Sequence, residues 1–247
     1  MSDRCSQVLE EVHAVILARV RAIGAREPGH IRRLLDVGCW NGEATRQCAD
    51  ACGAAALGIE VFAEPARQAR ARGIEVAEVD LETGRFPWPD ASVDLVIANQ
   101  VFEHLKNVWR PMAEIARVLR PGGWVLISVP NLASLHNRLL LGLGIQPSSI
   151  RTRGPHVRGF TAREIAAFVG LERAMETEHT RGVGFYPVPA RLARPLNALW
   201  PGGSHTVLVV GRRVGTHNPW QSILEREQTE DLQTFFSATP GDRDRAS

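Results

Sequence analysis

Asp36, Gly38 and Gly42 are the residues of this chain whose types and spacing point first to chemistry. The apolar run Leu34-Leu35-Asp36-Val37 reads as a short buried strand. It ends in a turn bracketed by Gly38 and Gly42, and a helix follows from about Glu43. A strand feeding a glycine-bearing turn and then a helix start is a nucleotide-binding device. Its glycines let the backbone approach a ligand, and the free N–H groups of the first helical turn face it. The turn reads Gly38-Cys39-Trp40-Asn41-Gly42, which is not the G-x-G-x-x-G of a dinucleotide site. Asp36, just before the turn, would repel a pyrophosphate. It suits a ligand that carries an ammonium group and a sulfonium and no phosphate.

The elements that must position this turn alternate along the chain. Strands are expected at 33–37, 55–60, 75–79, 93–98 and 124–129, with helices at 43–52, 64–72 and 111–119 between them. Short strands alternating with helices imply right-handed crossovers and an α/β fold whose mostly parallel sheet is covered on both faces. Pro121-Gly122-Gly123 reads as a sharp turn into the fifth strand. Upstream, Val8, Val12, Val15, Ile16, Arg19 and Ile23 recur at helical spacing over 7–23, with Ser6 as the cap. This helix could close the ligand cleft or only cover the sheet. After Pro130 come an apolar, partly helical segment at 132–143 and a loop at 144–159. Thr161 and Glu164 form a capping box for a helix to Val169. Two more strands are expected at 173–180 and 205–212, separated by a Pro/Gly-rich excursion at 182–203. From Gly215 the chain turns polar. One short helix around 223–235 is expected there, with disorder beyond it.

Composition excludes several classes. With 44% hydrophobic and 23% charged residues the chain reads as a soluble globule, and its net charge of +2 gives no argument for nucleic acid. Cys5, Cys39, Cys48 and Cys52 form no CxxC pair. Cys48 and Cys52 could face one way on a helix, but no second cluster completes a site, so buried free thiols and no metal are expected. No leader-type apolar segment and no membrane-length stretch is present, and a reducing cytoplasm is the expected location.

From Leu34 to Arg212 the chain resembles the class I S-adenosylmethionine-dependent methyltransferases. Their first motif, LDVGCGxG, matches LLDVGCWNG except that Trp40 replaces the middle glycine. A large ring there could crowd the loop or cover the cofactor. Glu60, 24 residues after Asp36, ends the second strand, with Val61 beside it. The resemblance implies that its carboxylate accepts from the ribose hydroxyls. Asp80-Leu81 falls where the family contacts adenine. Phe86–Val96 resembles PFPDxSFDLV, and Leu119–Gly123 resembles LRPGG. Asn99, Gln100 and His104, within Asn99–Leu105, match the loop that lines the methionine end. The implied cofactor is S-adenosyl-L-methionine, in a Rossmann-like sheet of seven strands, the last antiparallel. The implied cofactor residues are Asp36, Gly38, Trp40, Gly42, Glu60, Val61, Asp80, Leu81, Asn99, Gln100 and His104. The domains would be an N-terminal helical cap (1–30), a methyltransferase domain (31–213, with acceptor-side insertions at 131–204) and a polar tail (214–247).

The acceptor side is read from Val129-Pro130-Asn131, Arg138, Gly142 and Pro155–Ile165. These resemble a branch, of the type 11/23 kind, with VPN and HxRFFT segments, found with sugar, polysaccharide or natural-product biosynthesis. Gly159 stands where that branch has an aromatic. A hydroxyl acceptor needs a base. His156, beyond the fifth strand, is the first candidate, and His104 the second. His136 and His179 have no supporting context. The excursion, with Phe185, Tyr186, Pro187, Trp200, Arg191 and Arg194, could be an acceptor lid, a dimer contact or a loop packed on the sheet edge. The expected activity is methyl transfer to a small-molecule hydroxyl of a sugar, glycolipid or secondary metabolite. Transfer to nitrogen or carbon remains an alternative, as does a non-catalytic cofactor-binding scaffold, which Trp40 favours. Nucleic acid is not expected as acceptor, because no basic stripe occurs and Ala98-Asn99-Gln100-Val101 is no NPPY tetrad. A homodimer is compatible with the sequence.

Overall fold

The computed structural model describes residues 3–185, 188 and 190–229. Seven strands form one sheet in the order β3-β2-β1-β4-β5-β7-β6. They are β1 (Arg33–Val37), β2 (Ala55–Ile59), β3 (Glu75–Ala77), β4 (Val93–Asn99), β5 (Leu119–Pro130), β6 (Met175–Val183) and β7 (Thr206–Arg213). The β1, β2, β3, β4 and β5 pairings are parallel. Only β7 runs antiparallel, to both β5 and β6. The helices are α1 (Asp3–Arg26), α2 (Glu43–Cys52), α3 (Ala63–Ala71), α4 (Trp109–Val118), α5 (Leu135–Gly142), α6 (Ala162–Val169), α7 (Ala190–Leu199) and α8 (Pro219–Thr229).

Side chains on a strand alternate between faces, and here both faces are covered. Leu34, Leu95, Ile97, Trp124, Leu126, Leu208 and Val210 form one apolar cluster with Val12, Ile16, Val20 and Ile23 of α1. Their strand neighbours Leu35, Val37, Val96, Ala98, Val125, Ile127, Val207 and Val209 form the other, with residues of α4, α6 and α8. Thus α1 covers the sheet. Arg19 and Arg26 tie it to Glu178 of β6.

Several local expectations are corrected. Ser6 lies inside α1, not before it. The PGG segment does not lead into β5 but bulges within it. Val93 pairs with Leu119 and Leu95 with Trp124, so the extra residues loop out at Gly122 (φ +77°). The excursion at 182–203 contains a helix, α7, which carries Pro195 in its interior. Tyr186 and Pro187 and the side chains of Arg191 and Arg194 lie outside the described residues. The last helix begins at Pro219, ahead of the expected 223, and the segment expected to be disordered lies outside the described residues. Thr161 caps α6, its Oγ1 accepting from the Glu164 N–H at 3.2 Å.

The motif residues before β4 and β5 are structural. Asp94 accepts from the Arg32 and Arg33 N–H groups and from Arg120 Nε at 2.6 Å. Arg117 is paired to buried Glu114 at 2.6 Å and donates to the Phe86 and Trp88 carbonyls. Glu114 in turn accepts from the Phe86 N–H. The PFPW segment is therefore pinned to α4, and α4 to the sheet. Trp220 of α8 is fully buried, and its Nε1 donates to the Phe168 carbonyl at 3.1 Å. Trp220→Ala is expected to lower the unfolding free energy by about 3–5 kcal/mol. Denaturant unfolding measures this, and a loss under about 1 kcal/mol would mean that α8 is not part of the core.

Candidate functional site

The sheet order reverses at β1, which lies between β2 and β4. Crevices at the carboxyl ends of strands where order reverses are where ligands bind in such sheets. The β1 turn sits there. Gly38 (φ +78°) donates its N–H to the Ile59 carbonyl at 2.8 Å, and Cys39 does so at 3.0 Å. A Cβ at Gly38 would meet Val101 Cγ2 at 2.8 Å. Gly42 (φ +80°) lies against α3, where a Cβ would come 2.9 Å from the Ala69 backbone. Only glycine fits either place. The turn is thus pressed between α3 and the loop after β4.

Two buried carboxylates flank it. Asp36, 7% exposed, accepts from Thr45 Oγ1 at 2.5 Å. Burial pushes its carboxyl up to about 7; the Thr45 hydrogen bond opposes the shift and nearby Glu60 adds to it. Glu60, 6% exposed, accepts from the Trp40 N–H at 3.0 Å and from the Phe62 N–H at 2.8 Å. It joins the β1 turn to the loop after β2. Trp40 sits at φ +48°, a conformation that a bulky side chain rarely adopts. Its ring does not crowd the loop. It is exposed and meets exposed Phe62 edge-on, with centroids 6.3 Å apart. Val61 is exposed beside it. Asp80 is exposed, and its oxygens accept from the Glu82 N–H and Thr83 Oγ1 of its own turn. Leu81 packs on the larger apolar cluster.

A second group gathers after β4. Asn99 Oδ1 accepts from Ser128 Oγ at 2.5 Å. Gln100, at φ +57°, donates its N–H to the Ser128 carbonyl. His104 and His156 stand edge to face, ring centroids 4.8 Å apart. His104 Nδ1 lies 3.3 Å from the Pro155 carbonyl, and His156 Nδ1 lies 2.7 Å from that of Ser149. A carbonyl only accepts, so each Nδ1 carries a proton, and in the neutral ring the lone pair is on Nε2. Burial holds the His104 imidazole below its usual range; the Pro155 carbonyl opposes this, and His156 adds to the depression.

The chain from Pro130 to Phe160 is folded so as to bring His156 there. Asn131, fully buried, donates to the Gly202 and Ser204 carbonyls at 2.9 Å. Buried Asn137 donates to the Asn131 carbonyl and to Ser149 Oγ. The Val157 and Arg158 N–H groups donate to the Glu103 carbonyl, clamping this loop to the segment after β4. Glu103 itself was quoted with the motif but given no role by sequence. Its side chain is 1% exposed, with no hydrogen-bond partner on either oxygen among the described residues. Burial raises its carboxyl to about 8, against the lowering effect of its own backbone N–H. Adjacency to His104 was its only sequence signal, since burial is not visible in a string.

A methyltransferase domain family matches residues 35–127. A protein of Mycolicibacterium smegmatis, named a probable S-adenosylmethionine-dependent methyltransferase, is 38% identical over 218 residues, covering 85% of this chain and 75% of that one. The chain belongs to the class I S-adenosylmethionine-dependent methyltransferases. The 27-O-demethylrifamycin SV methyltransferase of Amycolatopsis mediterranei is 33% identical over 76% of this methyltransferase, which spans 65% of that relative's length. A solved S-adenosylmethionine-dependent methyltransferase from Mesorhizobium loti shares the fold at a TM-score of 0.54 and 21% identity, covering 79% of this chain and 96% of its own.

S-adenosylmethionine is the cofactor of this methyltransferase. The residues present fit it. A backbone cradle at Gly38 admits no side chain, and Asp36 offers a buried carboxylate that no cation among the described residues pairs. Glu60→Ala is expected to weaken S-adenosylhomocysteine binding by about 1.5–3 kcal/mol, read by calorimetry. Glu60→Gln, which keeps one acceptor oxygen for the two loops, should lose affinity with a smaller drop in Tm. Because the Asp36 carboxyl is raised from 3.8 to about 7, the free protein holds a proton there below neutrality. A cationic ligand favours the ionised form, so binding should release close to one proton at about pH 5.5 and none at about pH 8.5. Calorimetry in two buffers of different ionisation heat counts that proton, and Asp36→Asn should abolish it.

Proposed function

We propose that this methyltransferase transfers the methyl group to a hydroxyl of a small molecule, and that the acceptor loses its proton at the His104–His156 pair. The observation that carries the reading is that pair: two imidazoles 4.8 Å apart whose Nδ1 atoms are committed to carbonyls, which leaves Nε2 of each as the nitrogen able to take a proton. When bound, the cofactor supplies an electrophilic methyl group on a sulfonium. The chain's part is to align the oxygen and to take its proton.

Asp36 is placed at the amino-acid end of the cofactor and Glu60 at its ribose, with Gly38, Trp40, Gly42 and Val61 lining the approach. Leu81 offers an apolar surface to the adenine, and Asp80 reaches that ring only if it leaves its own turn. Asn99 and Gln100 line the methionine end, beside His104. The exposed Trp40 ring leaves the turn open, which supports a catalytic protein over a scaffold. A relative that acts on 27-O-demethylrifamycin SV supports oxygen as the atom methylated. The acceptor-side insertion exposes Leu139, Leu141, Leu143 and Ile145, which supports an acceptor with an apolar body, such as a secondary metabolite or glycolipid, over a nucleic acid. Cys39, Cys48 and Cys52 are free thiols, in keeping with a reducing cytoplasm. No described helix is long and apolar enough to cross a membrane.

The test is S-adenosylhomocysteine formation with a panel of polyketide, catechol and sugar hydroxyls. His156→Ala should lower turnover by about 10²–10⁴-fold with cofactor affinity unchanged. Burial holds His104 below the ordinary 6.5, so if His104 takes the proton the acid limb of kcat/KM should lie below that value. Normal turnover of the variant would remove His156 from the reaction.

A further inference from the structure

We infer that Glu103, His104 and His156 form a binding site for a divalent first-row transition metal ion, held by one carboxylate oxygen and the two Nε2 atoms. Ligand atoms of the three residues lie within 4.8 Å of one another. Glu103 Oε1 is 4.0 Å from His104 Nε2. Three independent features converge on the space between them.

The first is the orphaned carboxylate. Glu103 is 1% exposed, and neither of its oxygens has a hydrogen-bond partner among the described residues. A buried polar group without a hydrogen-bond partner is costly, and such groups are normally bonded or coordinate a metal. The second is the orientation of both imidazoles. Metal-binding histidines usually donate their second ring N–H to a carbonyl or carboxylate, which fixes the tautomer and aims the other nitrogen. His104 does this to Pro155 and His156 to Ser149. The third is the brace behind them. Asn137 holds Ser149 through Oγ, and the Glu103 carbonyl accepts from Val157 and Arg158. The loop bearing His156 is thereby fastened to the segment bearing the other two ligands.

The spacing is close to that of a bound state. With bonds of about 2.1 Å in a tetrahedral shell, donor atoms sit about 3.4 Å apart, so the widest pair must close by up to about 1.4 Å. His104 is exposed, and its side chain can supply that movement. Two imidazoles and one carboxylate suit zinc, cobalt, manganese or ferrous iron better than magnesium or calcium, which prefer all-oxygen shells. Three protein ligands leave a position open for an oxygen of the acceptor. This inference rests on the hydroxyl acceptor of the reading above and puts an ion in the place of its histidine base. An acceptor oxygen bound to the ion loses its proton to solvent more readily, and the histidines then act as ligands rather than as the base.

The experiment is titration of the full chain, dialysed against chelator, with cobalt(II) chloride, read by visible absorption and by elemental analysis. One equivalent of cobalt should bind, and zinc should displace it. Glu103→Gln and His156→Ala should each weaken cobalt by more than about 100-fold, beyond the 10–100-fold that loss of an outer-shell partner costs. Both variants should still bind S-adenosylhomocysteine, which reports a folded pocket. No cobalt on the wild-type protein at about 1 mM, or equal binding by both variants, overturns the site; that concentration corresponds to about −4 kcal/mol, too weak for a resident ion. Hydroxyl methylation that survives chelation with no cobalt bound overturns the metal and leaves the proposed function standing. Stoichiometric cobalt with no hydroxyl methylated does the reverse.

Discussion

One buried carboxylate, that of Glu60, holds the loops at the carboxyl ends of β1 and β2 together. Its two oxygens take the N–H groups of Trp40 and Phe62, one from the turn after β1 and one from the loop after β2. Neither loop has a β-ladder partner for those donors, and a buried donor left unpaired costs about 1–3 kcal/mol. The parallel sheet supplies the constraint behind this. Strands running the same way end at one edge, so their loops crowd together there. Crowding forces the backbone into the left-handed region at Gly38, Trp40, Gly42 and Gln100. Two of these are not glycine. Strain of this kind collects at ligand sites, where surrounding contacts over-determine the conformation.

The acceptor side is built by a different device. There the organising groups are buried asparagines. Asn131 ties the end of β5 to the segment before β7, and Asn137 ties α5 to the loop that carries His156. An amide side chain both donates and accepts, so it can replace the ladder partners that irregular backbone lacks. The result is a fixed loop with a half-buried imidazole at its tip, held against the chain after β4 by the Glu103 carbonyl.

Both ends of the site carry acids in surroundings that disfavour their charge. Asp36 and Glu103 are buried, and each is raised well above the ordinary carboxylate range by burial. Folding therefore gives up stability near neutral pH at two places, and a bound cation would return it. In the proposed function, that cation is the amino-acid end of the cofactor at Asp36. The free cysteines among the described residues behave differently. Burial pushes Cys39 and Cys48 up to about 12, so they are packing residues, and Cys39 fills the gap that Gly58 leaves.

The sequence by itself determined the sheet, the turn after β1 and the family. These are local matters: alternation of apolar residues, a glycine where φ must be positive, a threonine before a helix. The five parallel strands fell close to their expected places for that reason. It did not reveal that PGG is a bulge, that α7 runs through Pro195, or that Trp220 belongs to the core. Each is decided by packing against distant chain, which overrides local preference. The same holds for the site. Asp36, Gly38 and Glu60 could be named as candidates because they sit at or just past the carboxyl ends of β1 and β2, whose apolar runs are legible in the sequence. Glu103 was not, because its significance lies in being buried without a partner beside an imidazole more than fifty positions away. Only the tertiary structure places those groups together, since burial and proximity arise when the chain between them folds.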